Sequence, residues 1–436
     1  MTTTPERPDA VDAKPAGRPM LGAWRFVTVF GTISLLADFT VFGTISLLAD
    51  FVYEGARSIT GPLLASLGAT GLVVGVVTGI GEAAALGLRL VSGPLTDRTQ
   101  RFWAWTIAGY TLTIVTVPLL GIAAPLWVAC GLVIAERIGK AVRSPAKDTL
   151  LSHAAAVTGR GRGFAVHEAL DQIGAVIGPL TVAGVLALTG NDYGPALGVL
   201  ALPGVAALAL LVWLRLRVPE PARYETPTVP TPAPLPAPEA TDDGRAQPSP
   251  PLPPTFWAYC AFTATTMLGF ATFGVLSFHM VIRGILPAAA VPLVYAAAMG
   301  ADAVAALLSG WLYDRVGAKT LAALPILSAL VPVVAFTDRV WLVVAGALLW
   351  GAAVGIQEST LRAVVADLVA PPRRATAYGI FAAGLGAATA AGGALTGWLY
   401  DTSIPALIIT VAVVQLIAVG LAVTVIARRR SAPARS

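Results

Sequence analysis

The chain has 436 residues, of which 56% are hydrophobic and only 12% charged, and its mean hydropathy is +0.76. This small number of charged side chains could not cover the surface of a soluble protein of this length. The composition therefore excludes a soluble protein. The net charge of +5 does not indicate a nucleic-acid partner, because the basic residues are expected mainly at one face of a membrane.

Residues 1–21 are polar and contain prolines, without the apolar core or cleavage site of a signal peptide, and we expect a disordered cytoplasmic tail there. Apolar runs then recur along the chain at about the 20 residues needed to cross roughly 30 Å of hydrocarbon. The predicted spans are 28–66, 71–94, 102–123, 125–147, 163–189, 194–216, 254–283, 287–313, 319–336, 339–368, 374–400 and 403–427. This pattern predicts an all-α membrane protein with twelve transmembrane helices, and the lipid bilayer is its expected environment.

The first predicted span contains an exact duplication: residues 28–39 (TVFGTISLLADF) are repeated at 40–51. Twelve residues advance an α-helix by about 18 Å and turn it by about 120°, so the two copies cannot present the same face. We expect the second copy to be the membrane span. The first copy is then an extension or an amphipathic lead-in.

The distribution of Lys and Arg orients the predicted spans. Alternate loops are basic, as in Arg98 and Arg101 after span 2 and Arg315 with Lys319 after span 8, and such loops stay in the cytoplasm. Both termini are therefore predicted to be cytoplasmic in a multi-pass protein of the cell inner membrane.

The spans divide into two six-helix bundles, at 22–217 and 254–427. Between them, residues 218–253 form a predicted cytoplasmic linker, since 13 of the 33 prolines lie between Pro219 and Pro254 and proline-rich segments favour extended conformations. A basic cytoplasmic tail is predicted at 428–436.

A short motif occurs at the same place in each half. Span 2 ends in GPLTDRTQR and span 8 in GWLYDRVGAK, which share the pattern G-x-L-x-D-R at a separation of 217 residues. This spacing predicts a parallel repeat of six spans, related by a pseudo-two-fold axis along the membrane normal. The motif residues are Gly93, Asp97, Arg98, Arg101, Gly310, Asp314, Arg315 and Lys319.

The paired motifs resemble the signature of the major facilitator superfamily, and the resemblance, to a poorly characterised prokaryotic branch, covers essentially the whole chain. It implies that the motif forms a cytoplasmic gate, in which the aspartate faces a helix amino end and the basic residues pair across the bundle. The first copy departs from the pattern at Gln100, where a glycine is usual.

Span 5 contains Gly174, Gly178 and Pro179, which resemble the glycine-proline motif of exporters and antiporters in that family. Small residues four apart allow close helix contact, and proline kinks a helix. The alternative is ordinary membrane-helix packing, and other glycines of the antiporter motif are absent.

Charged residues inside the predicted spans indicate the functional site, because each costs about 2.5–3.5 kcal/mol to insert at the bilayer centre. Asp50, Glu54 and Arg57 share one face of span 1. The candidates for proton coupling are Asp50, Glu54, Glu82 and Glu136, since a carboxyl group in a low-dielectric cavity can exchange a proton near neutrality. Alternatively, these carboxylates form fixed ion pairs with neighbouring arginines.

The remaining cavity candidates surround these carboxylates. Gln357 and Glu358 interrupt an apolar stretch in the middle of span 10, where a substrate site is expected. Tyr53 and Trp350 line the cavity or simply pack. The full set of substrate candidates is Tyr53, Arg57, Arg89, Arg137, Trp350, Gln357 and Glu358.

These patterns favour a secondary active transporter that exports a small organic molecule in exchange for protons, by alternating access. Uptake and uniport remain alternatives. An enzyme is disfavoured, because no phosphate loop, nucleophile elbow or metal-spaced His/Cys cluster is found. A membrane receptor is disfavoured, because the predicted tails are too short to hold a signalling domain. No cofactor or metal is predicted, and the expected oligomeric state is a monomer.

Overall fold

The computed structural model describes residues 23–158, 160–220, 251–370 and 373–430, and the regular elements in these ranges are helices. The α-helices are α1 Ala23–Ser66, α2 Gly71–Gly87, α3 Arg89–Thr99, α4 Phe102–Gly121, α5 Leu126–Thr158, α6 Arg160–Leu188, α7 Tyr193–Gly198, α8 Ala201–Arg217, α9 Pro254–Leu268, α10 Phe273–Ile282, α11 Val291–Val316, α12 Ala323–Ala335, α13 Val340–Leu368, α14 Arg374–Thr402 and α15 Ile404–Arg430. Short 3₁₀ helices precede α11 and α12. The prediction of an all-α membrane protein is confirmed.

Several helices continue one another. Within the described chain, α2 with α3, α7 with α8 and α9 with α10 form composite segments, which leaves six segments in each half. By length and composition, nine stretches of this part of the chain could cross a membrane, and one of them, 288–335, contains two predicted spans. The nine do not include α1 or α5, each of which carries several charged residues. These findings are consistent with twelve spans.

The duplicated segment lies within one continuous helix. Helix α1 has 44 residues, about 66 Å at the α-helical rise, and runs through both copies. Phe42, Ile45 and Ala49 of the second copy are at most 3% exposed, so this copy packs inside the bundle as a span does. The side chains of the first copy lie outside the described residues, as do the tail at 1–21, residues 431–436 of the basic tail and most of the predicted linker.

The two motif turns each contain a residue with a positive φ angle. Gln100 has a φ of 53° and Gly317 a φ of 63°, and each lies three residues after the motif aspartate. Left-handed backbone suits glycine and is uncommon for glutamine. The Gln100 side chain helps to close the turn, since its Nε2 donates to the Asp97 carbonyl oxygen at 2.6 Å. The repeat therefore extends to a positive-φ residue in the turn, although the ψ angles differ, at 18° for Gln100 and −144° for Gly317.

Glycines bring the two halves into direct backbone contact along α2 and α14. A β-carbon at Gly75 would overlap the carbonyl oxygen of Gly393, and one at Gly397 would overlap that of Gly71. Only glycine allows backbones to approach so closely. Further contacts between the halves join α6 to α11 and α1 to α10.

One end of the α2–α14 contact is closed by a carboxylate at a helix amino end. The Gly71 and Leu72 amides donate to Asp401 Oδ1 and Oδ2, each at 2.8 Å. The first amides of a helix lack partners within it, and its dipole favours a negative charge there. Nearby, the Ala289 amide donates to Asn191 Oδ1 at 3.1 Å, so polar contacts hold the halves together at this end.

The glycine contact yields a stability prediction with a control in the same helix. Gly75→Ala should lower the free energy of unfolding by about 1–3 kcal/mol, because the added methyl group forces α2 away from α14. Gly87→Ala should be neutral or stabilise by up to about 1 kcal/mol, since a β-carbon there meets no described atom within 4 Å. Thermal unfolding in detergent compares the two. Equal effects would contradict a tight α2–α14 contact.

Candidate functional site

Cavities lined by charged and apolar side chains lie between the two halves. The central cavity, of about 100 Å³, is bounded by α1, α2, α5, α10 and α13. Two larger cavities of about 540 and 560 Å³ adjoin it, one between α6 and α11 and one between α2 and α14. These two reach Asp148 and Asp97 respectively, at the opposite end of the bundle from the Asp401 contact. The residues around the central cavity include Tyr53, Arg57, Glu82, Arg137, Lys140, Phe270, Phe273, Trp350, Gln357 and Glu358.

A continuous chain of ion pairs crosses the first half at this cavity. Arg57 lies 3.6 Å from Glu54 and 2.9 Å from Glu82, and Arg137 lies 3.3 Å from Glu82 and from Glu136. Glu54, Glu136 and Arg137 are each at most 8% exposed. Such buried charges are tolerated only when they are paired, so the four pairs depend on one another.

Local sequence brings these residues together. Glu54 and Arg57 are three residues apart on α1 and therefore share a face, while Glu136 and Arg137 come from α5. Space for the Arg137 side chain comes from Gly81 on α2, where a β-carbon would lie 2.8 Å from Arg137 Cγ. The glycine next to Glu82 thus allows α5 to bring its arginine to that carboxylate.

Aromatic rings support the cations of the network. The Arg137 guanidinium lies 4.5 Å and the Lys140 ammonium 3.8 Å from the centre of the Tyr53 ring. Arg57 lies 5.8 Å from the Trp350 ring, and the Trp350 indole donates to the Ala271 carbonyl at 3.0 Å. Tyr53 and Trp350 are both 1% exposed. They are therefore packed residues that also contact the charges of the cavity.

A second group of charges lies between α1, α5 and α6. Arg143 is 3.6 Å from Asp50 and stacks over Tyr110 at 4.4 Å. Lys147 is 3.7 Å from Asp171, and its Nζ lies 3.1 Å from His167 Nε2. Asp50 thus belongs to a cluster separate from the chain that contains Glu54.

The ion-pair chain is connected directly to the second half of the protein. The Tyr295 hydroxyl on α11 donates a hydrogen bond to Glu54 Oε2. Tyr295 is fully buried and packs edge-on against Phe273. A change in the charge of Glu54 therefore acts on contacts within α1 and on a contact between the halves.

The predicted gate residues are not paired in this structure. Among the described side chains, none of Asp97, Arg98, Arg101, Asp314, Arg315 and Lys319 lies within 4.0 Å of an opposite charge. Arg315 instead stacks on Trp311 at 3.8 Å. Gly93 and Asp97 line the α2–α14 cavity, as does Arg89, whereas Gly310 has open space where a β-carbon would be. The halves are thus less tightly joined at this end.

The span 5 glycines make the close helix contact that their spacing predicts. A β-carbon at Gly174 would overlap the Leu47 carbonyl oxygen, and one at Gly178 would overlap that of Phe51. Pro179 lies inside α6. The motif therefore packs α6 tightly against α1, beside the acidic residues of that helix.

The sequence matches the profile of the Major Facilitator Superfamily over residues 30–320 and 286–436. The chain belongs to the major facilitator superfamily. It is 71% identical over 404 residues to the uncharacterized protein Rv2265 of Mycobacterium tuberculosis, an alignment that covers 92% of this chain and 93% of the relative. A shorter match links this superfamily member to the uncharacterized MFS-type transporter MJ1317 of Methanocaldococcus jannaschii, at 28% identity over 27% of this chain and 29% of the relative.

Solved structures of transporters share the fold. The nucleoside transporter NupG, as its D323A mutant, aligns with a TM-score of 0.66 over 89% of this chain and 98% of its own, at 14% identity. A POT family transporter in complex with a thioalcohol-conjugated peptide aligns with a TM-score of 0.68 over 90% and 96%, at 12% identity. Identities this low establish the fold alone.

Several residues of this major facilitator site were not selected from the sequence. Tyr295 lies in an apolar run, Gln172 is a neutral residue beside stronger charges, and Asp302 is isolated on its helix. Their roles come from partners on helices that are distant in sequence, and no local spacing signals such partners. Lys140 was detectable, since it follows Glu136 by one helical turn.

Breaking the ion-pair chain should be costly. Arg137→Met should lower the free energy of unfolding by about 3–5 kcal/mol, because it leaves the buried Glu136 carboxylate without its cation. Adding Glu136→Gln should recover part of that loss, since it removes one unpaired charge. Thermal unfolding of the wild type, the single variant and the double variant measures both effects. A double variant less stable than Arg137→Met would contradict the pairing.

Proposed function

We propose that this major facilitator protein exports a small organic molecule in exchange for protons, by alternating access. Membership of the superfamily makes it a multi-pass membrane transporter. The observation that best supports proton coupling is the position of Glu54. This buried carboxylate lies at the cavity wall and contacts both Arg57 of its own helix and Tyr295 of the second half.

Protonation of Glu54 has a defined structural consequence. A neutral Glu54 no longer attracts Arg57, which is then held by Glu82 alone at 2.9 Å. The hydrogen bond from Tyr295 also weakens, because a carboxylate accepts more strongly than a carboxylic acid. Proton binding thus loosens a contact between the halves, which is the requirement for coupling. Glu82 and Glu136 extend the same chain, and Asp50 is the candidate in the neighbouring cluster.

The direction of transport is proposed on narrower grounds. Gly174, Gly178 and Pro179 resemble the motif of exporters and bring α6 against α1, so movement of α6 is transmitted to the helix that carries Glu54. In the predicted orientation, in the cell inner membrane with cytoplasmic termini, the larger cavities open to the cytoplasm. Solute would enter there and leave at the end that Asp401 closes. Uptake and uniport by the same cavity are the alternatives.

Two charged side chains at the cavity are candidates for solute binding. Lys140 and Glu358 line both the central and the α6–α11 cavity. In the described chain, neither lies within 4.0 Å of an opposite charge, although Lys140 stacks on Tyr53 at 3.8 Å. They come from opposite halves, beside the aromatic rings of Phe270, Phe273 and Trp350. This arrangement suits a polar solute that has an apolar part.

Proton coupling through Glu54 is tested with an isosteric variant. Glu54→Gln should abolish solute flux driven by a pH gradient, because the amide cannot bind and release a proton. It should leave solute counterflow at equal pH measurable, since the amide oxygen of the new side chain can still accept a hydrogen bond from Tyr295. Both fluxes are measured in inverted membrane vesicles with a labelled solute.

Asp338→Asn is the matched control, because Asp338 is an exposed carboxylate that binds Arg283 at the opposite end from the larger cavities. Driven flux should persist in this variant. Undiminished driven flux in Glu54→Gln would remove Glu54 as a coupling residue. Loss of both driven flux and counterflow in Glu54→Gln would make Glu54 a structural residue.

Solute recognition is tested separately. Lys140→Gln and Glu358→Gln should each raise the KM for counterflow roughly tenfold or more, since a hydrogen bond to a charged group contributes about 1.5–3 kcal/mol. Counterflow at equal pH is the appropriate measurement because it does not need a proton gradient. An unchanged KM in both variants would exclude a direct contact of either charge with the solute.

A further inference from the structure

Asp302 is a buried carboxylate at the interface between the halves. It lies on α11, is 3% exposed and lines the α6–α11 cavity. Its Oδ2 accepts a hydrogen bond from Gln172 Nε2 on α6 at 3.3 Å. Unlike Glu54, Glu82 and Glu136, it has no Lys, Arg or His nitrogen within 4.0 Å among the described side chains.

Two buried oxygens at this contact lack hydrogen-bond partners in the described chain. One is Asp302 Oδ1 and the other is Gln172 Oε1. A carboxylate and an amide carbonyl are both acceptors, so these atoms cannot bond to each other in the ionised state. A proton on Asp302 Oδ1 would turn it into a donor and supply what both atoms lack.

Charged groups of both signs surround Asp302. Arg57 on α1 is one of the cations that face it, and its guanidinium is already paired with Glu54 and Glu82. An ionised carboxylate that is buried without a cation of its own is strongly disfavoured. The acidic groups that line this cavity are Asp50 and Glu54 on α1, Asp148 on α5, Glu168 and Asp171 on α6, and Glu358 on α13. The other basic groups that line it are Arg89 on α3 and Lys140, Arg143 and Lys147 on α5.

We propose that Asp302 and Gln172 form a second proton-binding site of this transporter. When Asp302 is protonated, its Oδ1–H donates to Gln172 Oε1 while its Oδ2 accepts from Gln172 Nε2. An acid–amide pair with two reciprocal hydrogen bonds then joins α6 to α11. Loss of the proton removes one of these bonds and leaves an unpaired negative charge in the interface.

The site acts on the contact between the halves in the direction opposite to Glu54. Proton binding strengthens the α6–α11 contact at Asp302, whereas it weakens the α1–α11 contact at Glu54. Both proton sites involve α11: Glu54 contacts Tyr295 of that helix, and Asp302 lies on it seven residues later. The place of the site in a transport cycle rests on the proposed function, but proton binding at Asp302 does not.

Infrared difference spectroscopy tests the site without a known solute. Spectra of the purified full chain in lipid are compared between acidic and alkaline pH. In the carboxylic-acid region, the wild type should gain on acidification a C=O band that is absent from Asp302→Asn. The matched control Asp338→Asn, at an exposed carboxylate, should keep that band. Absence of an Asp302-dependent band at every pH at which the protein is folded overturns the proposal.

The reciprocal hydrogen bonds are tested with Gln172→Leu. In this variant the Asp302 band should remain but move to higher frequency, because the C=O loses the hydrogen bond from the amide. An unshifted band would show that Asp302 binds a proton without pairing to Gln172, and would overturn the proposed pair. Circular dichroism and thermal unfolding confirm that each variant is folded before its spectrum is compared.

Asp302→Asn gives an independent check on the structural effect. Asparagine can form the same two hydrogen bonds with Gln172, so the variant should hold the α6–α11 contact at all pH values. In a Glu54→Gln background, which removes the other proposed proton site that acts on α11, cysteine cross-linking between α6 and α11 should then become independent of pH. The same background with Asp302 intact should cross-link faster at acidic pH. Persisting pH dependence in Asp302→Asn would overturn the coupling. Failure of proton-driven flux alone, with the infrared results as expected, would count against the proposed function only.

Discussion

The structure depends on the requirement that charge inside a membrane be paired or face a polar cavity. An isolated charge at the bilayer centre is costly, yet the first half buries Glu54, Glu136, Arg137 and Arg143. The ion-pair chain and the aromatic rings of Tyr53 and Trp350 meet that requirement. Every charged group that moves or changes protonation must therefore exchange one set of partners for another, and in the proposed function this exchange links proton binding to helix position.

The two halves contribute different chemistry to the interface. Basic side chains at the cavities come from the first half, whereas Asp302 and Glu358 of the second half bring only negative charge. Polar contacts between the halves sit at a few points, such as Glu54 with Tyr295 and Gln172 with Asp302. Glycine contacts along α2 and α14 close one end. The cavities lie at the other end, so the arrangement is that of a transporter closed at one end.

Much of the fold was predictable from local pattern, because membrane spans are set by length and apolar composition. The repeated D-R motifs located two turns that each contain a positive-φ residue three positions after the aspartate, even though Gln100 replaces glycine in the first. The spacing of Gly174 and Gly178 predicted a close helix contact, though not its partner α1. Pairs such as Asp302 with Gln172 could not be predicted, because a single sequence does not state which faces of distant helices meet.

The most direct test of proton exchange is proton movement in inverted vesicles that hold an imposed pH gradient, with a panel of small polar organic compounds added one at a time. Export in exchange for protons predicts that at least one compound dissipates the gradient only in vesicles containing the protein. If labelled compounds instead equilibrate through the protein without any proton movement, it is a uniporter, and the buried carboxylates have a structural role.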